Sequence, residues 1–226
     1  MNVTKSSSSF FDKYQFFFLL IVAIIITRLP IISIPFNWLE SYFHEISHGF
    51  AAIISGGSII KIELFTNGAG LCTTMGGNRF LISFMGYAGA ILWGLAIYKV
   101  AFIHKKSVKI ITLALMIILG ITIILWVRDL LTLVIVSLLI ALFYFKWKLS
   151  NKYIAVLLQL TGMLVLLNAV LSPLHLLDGR HIGDGAALAS ITGIPEIFWV
   201  IVWSGLGAFT LFKLSVYKLD AHSLGK

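Results

Sequence analysis

Apolar runs of about 20 residues recur along this chain, and they constrain its fold more than any other feature. A run of about this length is long enough to cross a bilayer as a helix. Of the 226 residues, 59% are hydrophobic and only 12% are charged, which is far more apolar sequence than a soluble domain needs. The sequence therefore predicts an all-α polytopic membrane protein with about six to seven transmembrane helices.

Proline, glycine or charged residues separate the successive runs. Pro30 and Pro35 are expected to form a short extended connection between the first two. A single transmembrane domain is expected at residues 14–216, between a disordered N-terminal tail at 1–13 and a polar C-terminal tail at 217–226. The predicted long helices cover residues 14–28, 36–55, 80–103, 110–127, 130–145, 153–171 and 198–214, and a shorter helix is expected at 184–191.

Residues 58–75 follow a different pattern from the apolar runs around them. Between residues 58 and 64, apolar side chains alternate with Lys61 and Glu63, and the turn-forming pair Asn67-Gly68 comes next. This arrangement predicts a small β-hairpin between the second and third helices. Because lipid offers no partner for free backbone N–H and C=O groups, the hairpin must pack within the protein or lie at the membrane interface.

The charge distribution argues against a nucleic-acid-binding protein. The net charge is +8, but the basic residues cluster between apolar runs, for example at 104–109 and 146–152. This pattern is typical of membrane-protein loops that face anionic lipid. Cys72 is the single cysteine, so an internal disulfide is excluded and any metal ion must be held by histidine and carboxylate groups.

The second apolar run contains His44-Glu45-Ile46-Ser47-His48, an H-E-x-x-H sequence. On a helix, His44 and His48 lie one turn apart on the same face, where they can hold one zinc ion. Glu45 lies beside the first ligand and can accept a proton from the attacking water. Ionisable groups at membrane depth usually face a cavity or a partner. The alternative is two histidines that bond to neighbouring helices around a structural glutamate.

A catalytic zinc ion needs a third protein ligand, which residues 49–58 do not contain. Asp178 is the preferred candidate because Pro173 interrupts a helix before it and Gly179 allows a close backbone approach after it. Asp184 is the alternative ligand, and an ordinary Asp-Gly turn is the alternative interpretation of Asp178. The other carboxylate or imidazole groups considered are His175, His181, Glu63 and Asp129.

Two stretches taken together resemble the site-2 protease family of intramembrane zinc metalloproteases. One is His44-Glu45-x-x-His48 in an early membrane helix, and the other is Ser-Pro-Leu-His-Leu-Leu-Asp-Gly at residues 172–179. The second motif of the family is Asn-Pro followed by Leu-Asp-Gly, and its Asp is the third zinc ligand. The resemblance therefore implies that Asp178 is a ligand, although Ser172 stands where the family has Asn.

Residues 183–195 are similar to a motif of a compact branch of that family. In the branch, Ser-Asp-Ala precedes a short helix and a Gly-Ile-Pro sequence, whereas this chain has Gly-Asp-Gly at 183–185 and Gly-Ile-Pro at 193–195. This similarity leaves both Asp178 and Asp184 open as the third ligand. Residues 86–89, Gly-Tyr-Ala-Gly, resemble the small-residue motif of the family's third helix without its proline.

The resemblance implies a zinc-dependent endopeptidase that cleaves peptide bonds in or near transmembrane segments, as in regulated intramembrane proteolysis. The implied cofactor is Zn²⁺, with Glu45 as the catalytic base. The implied partners are the lipid bilayer and a membrane protein or peptide substrate. The expected location is a multi-pass position in a bacterial cell membrane. Asn168 and His175 are candidates for supporting a ligand or positioning the substrate. Glu40, one turn before His44, is a candidate for the same kind of role.

Two other functions stay open on the sequence alone. One is a non-catalytic membrane scaffold, or a pseudoprotease that binds membrane clients without cutting them. The other is an enzyme that uses the same zinc ion on a lipid or a small molecule. In the protease interpretation, an edge strand of the hairpin pairs with an unwound substrate. In the simpler interpretation, the hairpin only closes the site.

Overall fold

The structure is a computed structural model that describes the backbone of residues 10–103 and 108–223 and the side chains of residues 14–103 and 108–216. Within these ranges the chain forms eight α-helices, one 3-10 helix and two strands. The elements are α1 (Phe10–Thr27), α2 (Pro30–Ile54), β1 (Ser58–Leu64), β2 (Gly70–Met75), α3 (Arg79–Ile103), α4 (Val108–Trp126), α5 (Leu130–Trp147), α6 (Asn151–Leu171), the 3-10 helix (Ser172–Leu177), α7 (Asp184–Thr192) and α8 (Glu196–Ser223).

The predicted fold class, an all-α membrane protein with a small hairpin between its second and third helices, is confirmed. Five helical segments are long and apolar enough to cross a membrane, and the bent pair α1 and α2 brings the number to six among the described residues. The higher number agrees with the lower end of the predicted range. Residues 1–9 of the predicted N-terminal tail lie outside the described residues, and the division into one domain and two tails stays a prediction.

The connection between α1 and α2 is shorter than expected. The two helices meet at a bend of 107°, and Pro30 begins α2 directly. Proline suits the first position of a helix, because the N–H it lacks has no intrahelical partner there. Pro35 lies inside α2, so the prediction of an extended connection between the two prolines was wrong.

The hairpin packs against the helices through buried side chains of β1, whereas β2 is more exposed. β1 and β2 are antiparallel and pair from Ser58 opposite Met75 to Leu64 opposite Gly70. The Leu64 side chain is fully buried, and its backbone N–H donates to the Thr132 hydroxyl of α5 at 2.9 Å. The outer edge of β2 has no strand neighbour in this two-stranded sheet, and the backbone of Cys72 in this strand hydrogen-bonds to Glu45.

Small residues let α3 approach its neighbours closely, as the sequence predicts. A Cβ atom added at Gly94 would lie 3.0 Å from the Gly162 carbonyl oxygen of α6. On the side of α3 that faces α2, a Cβ atom added at Gly86 would lie 2.5 Å from the His48 ring. These contacts pack α3 closely against both α6 and the H-E-x-x-H face of α2.

Candidate metal centre

Three side chains from two separate elements converge on one point of the structure. His44 and His48 lie on α2, and Asp184 is the first residue of α7. The two histidine Nε2 atoms lie 2.9 Å apart. The Asp184 Oδ2 atom lies 3.0 Å from His44 Nε2 and 3.2 Å from His48 Nε2. Three atoms with lone pairs that meet in this way can hold a metal ion.

Neighbouring groups fix the orientation of both histidine rings. His48 Nδ1 donates to the Ile82 carbonyl oxygen of α3 at 2.6 Å, and its Nε2 atom faces Asp184. The His44 ring makes an edge-to-face contact with the Tyr87 ring, with centroids 4.4 Å apart. A hydrogen bond to the outer nitrogen of a metal-binding histidine selects its tautomer and raises its basicity. The His48 side chain is therefore pre-oriented as a ligand.

Asp184 reaches the histidines because α7 begins directly beside them. Gly183 precedes the helix with a φ of 100°, a backbone conformation that favours glycine. Burial disfavours the ionised form of Asp184, but the charge of His48 and the hydrogen bonds from both histidines outweigh it. They hold the pKa of the Asp184 carboxyl well below its usual range. The carboxylate is therefore in the ionised form that a metal ion requires.

The structure does not bring Asp178, the preferred ligand from the sequence, to the histidines. Asp178 follows the 3-10 helix in an exposed loop, where Arg180 occupies both of its carboxylate oxygens. The Arg180 backbone N–H donates to Oδ1 at 2.9 Å, and its Nε donates to Oδ2 at 2.6 Å. These hydrogen bonds lower the pKa of the Asp178 carboxyl. Of the two carboxylates that the sequence left open, Asp184 is the one in the cluster.

Glu45 is buried between the hairpin and the group of His44, His48 and Asp184, which we call the metal cluster. Its side chain is 6% exposed and packs against the start of β2, so closely that a Cβ atom added at Gly70 would lie 2.7 Å from Oε1. Glu45 also interacts with the backbone of Cys72. The catalytic candidate thus lies beside both β2 and the three converging side chains.

A cavity of about 1010 Å³ opens in front of the cluster. Residues of α2, β2, α6 and α7 line it, together with the segment after α6. Asn168 lies in its wall, where its side-chain amide donates to Asn37 Oδ1 at 3.0 Å. His175 also lines the cavity and is exposed. Neither residue belongs to the metal cluster, and their supporting roles stay predictions.

The remaining carboxylate and imidazole candidates are engaged elsewhere. Glu63 pairs with Lys61 at 2.9 Å. Asp129 accepts from the Thr132 backbone N–H at 2.8 Å at the start of α5. His181 Nδ1 lies 3.3 Å from Glu196 Oε2 at the start of α8. None of these three candidates contributes to the cluster of His44, His48 and Asp184.

Sequence reasoning did not assign a role at the site to three groups. Gly86 lies against the ligand nitrogens, Gly70 lies against Glu45, and the Ile82 carbonyl oxygen fixes His48. Gly70 carries a signal that could have been used, because a glycine inside a strand often marks a close approach of another group. A backbone carbonyl such as that of Ile82 carries no signal in the sequence.

Comparison with known proteins agrees with the geometry. The family model described as Peptidase M50B-like matches residues 17–214, a range that includes the whole metal cluster and Glu45. No curated protein and no solved structure matches the chain. The match confirms the resemblance to site-2 proteases, and the apolar helices agree with an integral multi-pass membrane protein. The chain belongs to the Peptidase M50B-like family, the peptidase family of the site-2 proteases.

Proposed function

We propose that this protein is an intramembrane zinc metalloprotease that hydrolyses peptide bonds in or near transmembrane segments of membrane proteins. The observation that carries the proposal is the convergence of His44, His48 and Asp184 beside Glu45 in one cavity. Membership of a peptidase family supports the reaction class. A lipid bilayer and a membrane protein or peptide substrate are the partners that such a protease requires.

We assign His44, His48 and Asp184 as the zinc ligands, with Asp184 replacing Asp178 as the third. Tetrahedral zinc with bonds of about 2.0–2.1 Å separates its ligand atoms by about 3.3 Å. The three distances in the cluster are 2.9, 3.0 and 3.2 Å, so small shifts suffice for an ion to enter. Two imidazoles and one carboxylate are also a donor set that catalytic zinc sites use, with one position left for water or substrate.

In the proposed hydrolysis the ion and the residues of this chain have separate roles. When bound, zinc supplies a Lewis acid for the scissile carbonyl group. Glu45 accepts a proton from the attacking water as general base and delivers it to the leaving amine as general acid. The burial of Glu45 against the backbone of Gly70 keeps its carboxylate within the cavity rather than in bulk solvent.

The position of the hairpin supports substrate binding by strand pairing. A transmembrane helix hides its carbonyl groups in its own hydrogen bonds, so it must unwind locally before hydrolysis. The free edge of β2 lines the cavity through Gly70, Leu71 and Cys72. An unwound segment can pair with this edge, because strand addition replaces the hydrogen bonds that unwinding breaks. The same edge adjoins Glu45, and this supports a position for the paired segment beside the proposed catalytic group.

The test is peptide hydrolysis by the purified protein in detergent or liposomes, with zinc supplied. Wild type is compared with Glu45→Gln, which keeps the size of the side chain but removes its basicity. We expect wild type to cleave fluorogenic peptides derived from transmembrane segments, and Glu45→Gln to lose about 100-fold or more in rate. Cleavage at an equal rate by both proteins would refute the mechanism.

The same preparation separates the two other functions. A non-catalytic scaffold would bind the peptides without Glu45-dependent cleavage. A lipid hydrolase would release fatty acid from the liposomes while the peptides stay intact. We expect neither outcome, because the free strand edge beside Glu45 is suited to a peptide backbone.

A further inference from the structure

We propose that Glu40 forms a cation-binding subsite in the active-site cavity. The subsite takes an ammonium or guanidinium group of the substrate, supplied by a Lys or Arg side chain or by a free N-terminus. This inference rests on the proposed peptidase function and adds a substrate preference to it.

The position of Glu40 is unusual for a carboxylate in a membrane protein. It lies on α2 one turn before His44, its side chain is 7% exposed, and it lines the cavity. Among the described residues, the hydroxyl group of Ser172 is the one hydrogen-bond donor to Glu40, at 3.1 Å from Oε1. No ion pair of the described side chains includes Glu40.

One hydroxyl group is a weak partner for a buried carboxylate. The desolvation of a charge in a low-dielectric interior is costly unless a cation and several hydrogen bonds compensate for it. Intramembrane carboxylates are accordingly rare, and they usually face a water-filled cavity and mark a substrate or ion pathway. A carboxylate that faces a cavity without an ion-paired Lys or Arg is therefore suited to a cation that arrives with the substrate.

The charges of the cavity lead to the same conclusion. Three carboxylates line it, namely Glu40, Glu45 and Asp184. His44 and His48 must be neutral to bind a metal ion. A divalent ion at the cluster therefore balances Asp184 and Glu45, so Glu40 in its ionised form would have no Lys, Arg or metal ion to balance its charge. A cationic group of the substrate would complete the balance.

No lysine or arginine of the described residues pairs with Glu40, although the imidazoles of His44 and His175 interact with it electrostatically. Among the described residues, Arg28 is the one Lys or Arg that lines the cavity, and it lies exposed at the bend between α1 and α2. The ten residues of helix from Pro30 to Glu40 span about 15 Å. Arg28 is thus at the far end of the cavity from Glu40 and the metal cluster.

The spacing along α2 fixes where the cation should lie in the substrate. Side chains one turn apart on a helix are about 6 Å apart. An extended peptide advances about 3.3 Å per residue, so the cationic group should lie roughly two residues from the scissile bond. Either a Lys or Arg side chain or a free N-terminus at that distance could bind in the subsite.

The experiment measures peptide binding rather than cleavage. Zinc-loaded Glu45→Gln protein in detergent is titrated with fluorescent peptides, in which a single Lys or Arg is moved along an otherwise neutral sequence. Matched peptides carry norleucine in place of the cation, and both sets are made with a free and with an acetylated N-terminus. We expect the best-placed cation to improve affinity about tenfold or more over norleucine. The acetylated and free sets show whether a side chain or the N-terminus supplies the cation.

Variants at Glu40 then test the residue itself. Glu40→Gln should remove the preference for the cation, Glu40→Asp should retain part of it, and the affinity for norleucine peptides should change less than threefold in both. Ser172→Ala is the matched control, because it removes the hydrogen bond between α2 and the 3-10 helix but leaves the carboxylate. It should keep the cation preference, whereas its loss in Ser172→Ala would indicate a purely structural role and overturn the proposal.

The outcomes separate this proposal from the proposed function. Equal affinities for cationic and norleucine peptides at every position would overturn the cation subsite while leaving hydrolysis by wild type untouched. A cation preference that depends on Glu40, found in a protein that cleaves no peptide, would support the subsite and overturn the protease. Zinc content of each variant checks that it folds.

Discussion

Replacing Gly86 by alanine should displace both histidines that we propose as ligands of the metal centre. The added methyl carbon would lie 2.5 Å from the Cε1 and Nε2 atoms of His48 and 2.6 Å from the Nε2 atom of His44. An ordinary van der Waals contact needs about 3.5 Å, so the rings or the backbone of α3 must move by about 1 Å. Zinc–ligand distances vary by only about 0.2 Å, and a shift of 1 Å therefore separates a ligand from the ion.

The expected effect on zinc affinity follows from this displacement. Changes in groups that only support a ligand typically cost 10- to 100-fold in metal affinity. Gly86→Ala acts on the ligands directly, so we expect a loss of about 100-fold, or about 2.8 kcal/mol. The assay is competition for zinc between the detergent-purified apoprotein and a chromophoric chelator of known affinity.

A matched control separates steric displacement from a general effect of alanine in a helix. Gly120 lies within α4, and a Cβ atom added there would meet nothing within 4 Å. Gly120→Ala should therefore bind zinc as wild type does, within about twofold. Zinc affinity of Gly86→Ala equal to that of Gly120→Ala would refute the assignment of the site. Circular dichroism confirms that both variants keep their helix content.

Three further predictions follow from contacts of the same structure. Gly70→Ala should lower kcat about 100-fold while zinc content stays at the wild-type level, because the added methyl lies 2.5 Å from Glu45 Cγ; a normal kcat would contradict the placement of Glu45. Tyr42→Phe removes the 2.8 Å hydrogen bond to the Thr122 hydroxyl, and it should cost about 1 kcal/mol of stability in a denaturing-detergent titration; a loss above about 3 kcal/mol would show that more than this bond is broken. Removal of zinc by a chelator should lower the midpoint of thermal unfolding, and restored zinc should raise it again, because the ion binds the folded state; an unchanged midpoint would argue against a metal site.

The sequence was sufficient to predict the helices and the hairpin because their signals are local. Apolar runs of membrane-spanning length and the turn at Asn67-Gly68 need no knowledge of distant residues. The prediction of an extended connection between Pro30 and Pro35 was wrong because proline is compatible with both a helix end and a helix start. In the structure Pro30 is the first residue of α2, a position that suits proline.

The pairing of His44 with His48 was predictable from helical spacing alone. The choice between Asp178 and Asp184 was not, because it depends on which of two loop carboxylates turns toward α2. One local signal was present. Arg180 lies two residues after Asp178 and captures its carboxylate, whereas no Lys or Arg lies within three residues of Asp184 on its C-terminal side.

The glycines show the limit of sequence reasoning most clearly. Small residues in α3 predicted close helix approach in general. Only the structure identifies the partners, which are the His48 ring for Gly86 and the Ser47 side chain for Gly89. A contact between distant elements depends on the register of two packed helices, and the local pattern of either helix does not determine that register.

Metal content of the detergent-purified protein is the most direct test of the central claim that His44, His48 and Asp184 bind zinc. Wild type, Asp184→Ala and Asp178→Ala are purified with zinc supplied and analysed by elemental mass spectrometry. We expect about one zinc ion per chain in wild type and in Asp178→Ala, and a loss of most of the zinc in Asp184→Ala. Zinc retained by Asp184→Ala and lost from Asp178→Ala, or no zinc in wild type, would contradict the account.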